Sequence, residues 1–225
     1  MNFPSPDDYI DIHNHGSLSV KGQFSIENLM AHEGRIPDDQ PGLAYSYGIH
    51  PWHLKDEDHK IQIDSVVKYA DHTNVIALGE AGFDKIRGPS AELQKTAFEE
   101  QVRISEENSK PLFIHCVRAW EELISENKRL KPLKTWIIHG FRGKKELALQ
   151  LISKGMFISF WFDFVLRPES ADLLKILPKE KIFLETDGSG VEIRIIYKKV
   201  ADDLDISVEE LKNRLFSNFS TVFGG

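Results

Sequence analysis

The sequence predicts an α/β protein of the TIM-barrel class, a (β/α)8 barrel, and three observations support this. Short apolar runs alternate about eight times with charged, helix-forming stretches along 225 residues. Histidine, glutamate and aspartate recur where these runs end. In a barrel the carboxyl ends of all strands form one ring, which is the face that holds active sites. An open, doubly wound sheet would spread the same residues along a line, so the barrel is favoured.

The predicted strands are short runs rich in β-branched and aromatic residues. The run at 23–30 is the weakest of them. In chain order they cover residues 9–12, 23–30, 43–49, 75–78, 112–114, 135–138, 156–162 and 182–184.

The predicted helices carry apolar residues at helical spacing and recognisable end signals. Pro89 suits the first position of a helix, Gly155 suits a helix end, and Ser207 with Glu210 forms a capping box. The predicted helices cover residues 56–72, a segment from 89 onwards, 119–129, 144–154, 168–177, 192–204 and a last segment from 207.

The length predicts where the barrel departs from the usual form. A typical barrel needs about 250 residues, and this chain has 225. The shortage falls between His15 and Leu43, where a strand and a loop fit but barely a full helix. We therefore expect a single domain over residues 1–225, with a barrel that is distorted and shortened between strands 1 and 3.

Composition limits the possible partners. The net charge of −7 and the pI of about 5.7 argue against an extended basic face that grips duplex nucleic acid. No apolar run approaches the ~20 residues that cross a bilayer, and the start of the chain lacks the pattern of a signal peptide. One cysteine, Cys116, fits a reducing compartment. We expect a cytoplasmic protein without membrane contact, either a monomer or a weak homodimer.

The first apolar run carries the clearest chemical signal. Side chains alternate along a strand, so Asp11, His13 and His15 point to one side while Ile10 and Ile12 point to the other. Two neutral imidazoles at i and i+2 suit a transition metal. An isolated pair of this kind is more often a polar strand end, so the later strands decide the interpretation.

The later strand ends complete a set of metal-binding side chains. Four imidazoles and two carboxylates can hold two divalent ions, with one carboxylate shared between them. A metal lowers the pKa of bound water to about 7, and a nearby carboxylate can take its proton. The set comprises His13, His15, Glu80, His115, His139 and Asp187.

The order of motifs around these residues resembles the TatD family of metal-dependent hydrolases, within the amidohydrolase-like barrels. The motifs that carry the resemblance are His13-x-His15, Gly48-Ile49-His50-Pro51, Gly79-Glu80-Ala81-Gly82-Phe83-Asp84, Ile114-His115, His139-Gly140-Phe141 and Glu185-Thr186-Asp187. The resemblance covers nearly the whole chain and implies a TIM barrel with two metal ions. It assigns His13, His15, Glu80 and Asp187 to one ion, and Glu80, His115 and His139 to the other. Glu80 would bridge the ions, and Asp187 would also accept a proton.

The chain departs from the family pattern near the substrate. Gly16 stands where the family has Leu-Asp after the second histidine, and Arg142 stands where the family has serine in His-Cys-Phe-Ser-Gly. After Asp187, the short segment Gly188-Ser189-Gly190 replaces a longer, Pro-rich loop. The metal chemistry therefore transfers to this chain better than the substrate does.

Substrate contacts are predicted from residues beside the strand ends. Basic residues there suggest an anionic substrate on an acidic chain, although solvated loops also carry such residues. The candidates are His50, Arg142, Arg118 and Lys85. Trp52, Phe141, Trp161 and Phe162 are either base-stacking or packing residues, and Asp11 and Glu185 either support the ligands or serve the structure alone.

The leading functional prediction is hydrolysis of phosphodiesters, as in the deoxyribonucleases of the TatD family, acting on DNA. One alternative is hydrolysis of a small ester, amide, lactone or anionic phosphoester at the same site. A second is a metal-binding barrel without turnover. The expected cofactors are two divalent ions per chain, Mg, Mn or Zn, since imidazole-rich ligation suits Zn and Mn while phosphoryl transfer often uses Mg.

Overall fold

The computed structural model describes residues 3–16 and 20–224. Eight strands follow one another in sheet order, and the pairings have parallel register. The strands are β1 Tyr9–Asn14, β2 Gln23–Met30, β3 Leu43–Gly48, β4 Val75–Asp84, β5 Leu112–Val117, β6 Trp136–Ile138, β7 Phe157–Trp161 and β8 Ile182–Glu185.

Helices connect the strands from β3 onwards, which gives the (β/α)8 barrel topology that the sequence predicted. None of the helices in the described residues is long and apolar enough to span a membrane. The helices are α1 His59–Ala70, α2 Ala91–Glu107, α3 Trp120–Leu130, α4 Lys145–Ser153, α5 Phe162–Val165, α6 Pro168–Ile176, α7 Ile193–Leu204 and α8 Val208–Phe223.

The expected shortening between β1 and β3 is confirmed. Among the described residues of this region, the one helical segment is the 3-10 turn Ala31–Glu33. A parallel connection normally contains a full α-helix, and the described residues between β1 and β3 contain none.

By contact density the chain divides into two compact units. The first unit comprises residues 1–27, 39–44 and 139–225. Its interior is built around β1, where Ile10 and Ile12 are at most 1% exposed. The buried Tyr197 hydroxyl of α7 accepts a hydrogen bond from the Ile10 N–H (3.0 Å) and donates one to the Ile10 carbonyl (3.1 Å). Both backbone groups of that strand position are therefore satisfied by one side chain.

The second unit comprises residues 28–38 and 45–138. An aromatic cluster fills its interior, with ring centroids 4.8 Å apart for Phe83 and Phe98 and 5.2 Å apart for Phe98 and Trp136. The buried amide of Gln101 on α2 accepts from the Ile49 N–H (2.7 Å) and donates to the Ile49 carbonyl (3.2 Å). This pair of hydrogen bonds fixes the backbone just before His50.

Most predicted helix ends lie within two residues of the observed ends, and α1 begins three residues later than predicted, at His59. Ser207 caps α8 by accepting from the Glu210 N–H at 3.1 Å, as the capping box predicts. Helix α2 begins after Ser90 and not at Pro89, because the Ser90 hydroxyl accepts from the Leu93 N–H. Phe162 begins the short helix α5 and does not end β7.

Strand β4 is six residues longer than the predicted 75–78 run, because it continues through two glycines to Asp84. A Cβ atom on Gly82 would lie 1.9 Å from the His115 carbonyl oxygen, and one on Gly79 would lie 2.4 Å from that of Phe113. Only glycine lets β4 approach β5 this closely, and both residues have positive φ angles. Glu80 therefore lies inside a strand.

Candidate metal centre

In the first unit, β1 and the turn after β8 bring two histidines against one carboxylate. His13 is completely buried in β1, and His15 follows the strand. The Asp187 carboxylate lies 3.4 Å from His15 Nε2 and 3.8 Å from His13 Nε2, with about a fifth of its side chain exposed. The predicted grouping of His13, His15 and Asp187 is thus present within this unit.

Hydrogen bonds hold that turn against β1. The buried Asp11 carboxylate accepts from the Thr186 N–H (2.9 Å), the Thr186 hydroxyl (2.6 Å) and the Asn14 amide (2.9 Å). The Asp187 N–H donates to the His13 carbonyl at 3.1 Å. Burial raises the pKa of Asp11 to about 7, although the bonds from Thr186 and Asn14 lower it. Asp11 therefore supports the site by fixing the backbone beside Asp187.

The same unit places His139 and Glu185 next to this group. The ring centroids of His13 and His139 are 4.5 Å apart. The Glu185 carboxylate is fully buried, accepts from the Gly140 N–H at 2.5 Å and lies 3.6 Å from His139 Nδ1. Its second oxygen, Oε2, has no hydrogen-bond partner among the described residues. Glu185 thus fixes the start of the loop after His139 and offers a further carboxylate oxygen.

In the second unit, three buried side chains converge: His50, which follows β3, Glu80 within β4 and His115 within β5. Glu80 Oε2 lies 3.5 Å from His50 Nε2 and 3.4 Å from His115 Nδ1. The two imidazoles approach each other at 3.1 Å, between His50 Nε2 and His115 Nδ1. All three residues are less than 8% exposed, so solvent does not satisfy them.

Asp84, at the end of β4, touches this group and has no role in the sequence-based prediction. Burial alone would raise the pKa of Asp84. Four hydrogen bonds to the carboxylate, from the Trp52 indole, the Arg87 and Ile86 backbone and His115, outweigh it and lower the pKa to about 2. The available signal was its spacing, since Asp84 follows Glu80 by four residues and Gly82 by two.

The chemistry of these side chains fits divalent metal ions. Within each group one imidazole nitrogen or carboxylate oxygen per residue lies within 4.8 Å of the others, and these are ligand types that Zn and Mn accept. The groups within single units are His13–His15–Asp187, His139–Glu185–Asp187 and His50–Glu80–His115. Burying several polar groups together costs free energy, and a bound cation would offset that cost by coordinating them.

The predicted substrate contacts differ in their surroundings. The exposed Arg142 guanidinium stacks on the Trp161 ring at 4.6 Å, with no carboxylate within 4 Å among the described residues. Lys85 instead forms an ion pair with Glu122 at 2.5 Å. Arg118 is exposed after β5. Of the four candidates, Arg142 keeps its charge available beside His139, whereas that of Lys85 is compensated.

Comparison with known proteins gives a consistent result. The family model described as TatD related DNase matches residues 30–224. The 3'-5' ssDNA/RNA exonuclease TatD of Salmonella typhimurium is 32% identical over 181 residues, covering 76% of this chain and 69% of the relative. The protein of the same name from Pantoea vagans is 28% identical over 229 residues, with 92% and 87% covered.

Solved structures give the fold. The crystal structure of the TatD homolog YJJV from Escherichia coli has a TM-score of 0.77 and 19% identity, and the match covers 98% of this chain and 100% of that one. A TatD family hydrolase from Entamoeba histolytica has a TM-score of 0.75 and 18% identity, with 96% and 98% covered. At this identity the likeness establishes the barrel fold.

Proposed function

Because this chain belongs to the TatD related DNase family, it is a metal-dependent hydrolase, and we propose that it cleaves phosphodiester bonds in single-stranded DNA or RNA. The observation that carries the proposal is the grouping of His13, His15 and Asp187 in the first unit, together with the approach of Glu80 to His115 in the second. Two curated relatives bear the name 3'-5' ssDNA/RNA exonuclease, which supports the choice of substrate.

We propose that the ligands are those that the family resemblance assigns. His13, His15 and Asp187 serve one ion, His115 and His139 serve the other, and Glu80 serves both. Bound divalent ions supply a hydroxide at neutral pH and offset the charge that develops on the phosphate. The grouping of Asp187 with His13 and His15, and of Glu80 with His115, supports this assignment.

The chain's own side chains have distinct roles in this proposal. Asp187 takes the proton of the attacking water and delivers it to the leaving oxygen, which its partly exposed carboxylate permits. Arg142 binds a substrate phosphate, since the residue is exposed and its guanidinium lies over the Trp161 ring. His50 donates a hydrogen bond and is not a ligand, as argued below.

The choice of metal depends on two preferences, the affinity of the ligand set and the metal that phosphoryl transfer uses. Imidazole-rich ligation favours Zn or Co by affinity, whereas the carboxylates suit Mn and phosphoryl transfer in cells often uses Mg. We propose that Mg or Mn supports turnover and that purified protein carries some Zn.

One observation favours a smaller substrate as a second candidate. Five residues, 188–192, separate Asp187 from the first residue of α7. A short connection offers few side chains to a polymer, so a small phosphoester or ester fits the same chemistry. Turnover of such compounds with inert nucleic acid would favour this candidate.

The test is a cleavage assay with defined ends. Metal-free protein is loaded with Mg, Mn, Co or Zn and incubated with DNA and RNA oligonucleotides labelled at the 5' end. The proposal predicts stepwise shortening that a chelator abolishes, and the hydrolytic product ends identify the bond cut. No shortening with any of the four metals would refute nuclease activity, and a parallel panel of small esters and phosphoesters tests the second candidate.

A further inference from the structure

We infer that Asp84 is a positioning residue, which fixes the tautomer of His115 so that its Nδ1 atom is turned to Glu80 as the metal-binding nitrogen. The inference rests on the proposed metal site and adds a residue that the ligand assignment does not contain. It is carried by a set of buried contacts within the second unit.

The carboxylate of Asp84 is held on all sides. Its Oδ1 atom accepts the Ile86 N–H (2.7 Å) and the Arg87 N–H (2.9 Å). Its Oδ2 atom lies 2.6 Å from the Trp52 indole nitrogen and 3.2 Å from His115 Nε2. The residue is 1% exposed, so these groups and not water set its orientation. A carboxylate so constrained acts as a fixed acceptor.

A fixed acceptor determines where the imidazole proton lies. An ionised carboxylate only accepts hydrogen bonds, so the His115 proton that faces Asp84 is on Nε2. A neutral imidazole has one N–H, and Nδ1 therefore carries the lone pair. This Nδ1 atom is the one that lies 3.4 Å from Glu80 Oε2. The two atoms that would bind the metal thus lie side by side, and with Asp84 they would form the carboxylate–histidine–metal arrangement.

The same reasoning removes His50 from the ligands. Its Nδ1 atom accepts the Trp52 backbone N–H at 3.0 Å, so in the neutral ring the proton is on Nε2. That Nε2–H points at His115 Nδ1 (3.1 Å) and Glu80 Oε2 (3.5 Å). With a metal on His115 Nδ1, the His50 proton would be left to Glu80 Oε2 or to the substrate. His50 is therefore a donor, although it lies in the ligand group.

Trp52 connects this buried pair to the surface. Trp52 is 43% exposed, and the Arg87 guanidinium lies 4.2 Å from its ring centroid. Asp84 Oδ2 accepts from both Trp52 and His115. The competing explanation is therefore that the Asp84 carboxylate serves to hold the Trp52 indole. Removing the indole N–H alone separates the two explanations.

Two variants make the test. In Asp84→Asn, the amide nitrogen can occupy the position of Oδ2. A donor then faces His115 Nε2, so we expect the His115 proton to move to Nδ1. In Trp52→Phe, the His115 bond to Asp84 remains. We expect nitrogen-15 NMR of the metal-free wild type to show the Nε2–H form of His115, and Asp84→Asn to show the Nδ1–H form. Affinity for Mn²⁺ should fall about 10–100-fold in Asp84→Asn and stay unchanged in Trp52→Phe.

Three outcomes overturn the inference: the Nδ1–H form of His115 in the wild type, unchanged Mn²⁺ affinity in folded Asp84→Asn, or an equal loss in Trp52→Phe. If Asp84→Asn does not fold, the wild-type tautomer decides alone. Neither readout uses turnover, so a protein that is inert on nucleic acid but shows the expected tautomer refutes the proposed function and leaves this inference intact.

Discussion

The buried carboxylate of Asp11 accepts both the backbone N–H and the side-chain hydroxyl of Thr186, at 2.9 and 2.6 Å. Thr186 directly precedes Asp187, whose own N–H donates to the His13 carbonyl. Asp11, two positions before His13, thus holds the turn that carries the Asp187 carboxylate. This explains why an acidic residue is buried in a strand whose neighbours Ile10 and Ile12 are apolar.

Asp11→Ala should therefore destabilise the fold. The change leaves the Thr186 N–H and hydroxyl buried without their acceptor, at a cost of about 2–4 kcal/mol. Chemical denaturation measures this free energy of unfolding. Asp11→Asn keeps one acceptor oxygen and should lose clearly less. Equal stability of the alanine variant and the wild type would show that the bonds to Thr186 contribute nothing.

Asp187→Asn should abolish hydrolysis with the fold preserved. The amide cannot accept a proton, and general-base catalysis contributes about 10²–10⁴-fold. Initial rates with saturating Mn²⁺ measure the loss, and circular dichroism confirms folding. Asp64→Asn on the exposed face of α1 is the matched control, since it makes the same chemical change away from the site. Wild-type rates in Asp187→Asn would remove this residue from the mechanism.

Arg142→Ala should weaken binding of single-stranded nucleic acid more at low salt than at high salt. The loss of one phosphate contact reduces the slope of log affinity against log salt by about 0.7. Fluorescence anisotropy of a labelled oligonucleotide over a salt series measures that slope. Arg103→Ala is the control, because Arg103 pairs with Glu107 on α2. If both variants show the same slope as the wild type, Arg142 does not contact a phosphate.

Gly82→Ala should be far more harmful than Gly155→Ala. The new methyl group on residue 82 would overlap the His115 carbonyl, where 1.9 Å separates the two atoms, and we expect a loss of at least about 3 kcal/mol. At Gly155 nothing lies within 4 Å and only the positive φ opposes alanine, a cost of about 1–2 kcal/mol. Thermal unfolding of both variants compares them. Similar stabilities would mean that β4 does not need its glycine.

Much of the fold and site follows from the alternation of apolar runs and polar ends. His13, His15 and Asp187 were predictable because strand periodicity and parallel topology place them at the same end of their strands. The continuation of β4 past Leu78 was not, because Gly79 and Gly82 normally weaken a strand. The two glycines are needed because β4 approaches β5 closely at these positions. A sequence pattern does not contain the distances between strands.

The role of Asp84 escaped the sequence for a related reason. Its partners Trp52 and His115 are 32 and 31 residues away along the chain, and no local pattern links them. The pairing of Lys85 with Glu122 was hidden in the same way. A lysine after a strand looks available to a substrate until the neighbouring helix supplies a carboxylate. The candidate ligand residues are predictable from apolar runs with polar ends, whereas the partners that orient them depend on tertiary packing.

The histidines and carboxylates at the strand ends should bind divalent metal for hydrolysis. Calorimetric titration of metal-free protein with Mn²⁺, paired with cleavage of single-stranded DNA, tests this directly. We expect two ions per chain in the wild type, fewer in Glu80→Gln and His13→Ala, and cleavage that rises with occupancy. Absence of Mn²⁺ binding by folded wild-type protein, or binding and cleavage that both variants leave unchanged, would contradict it.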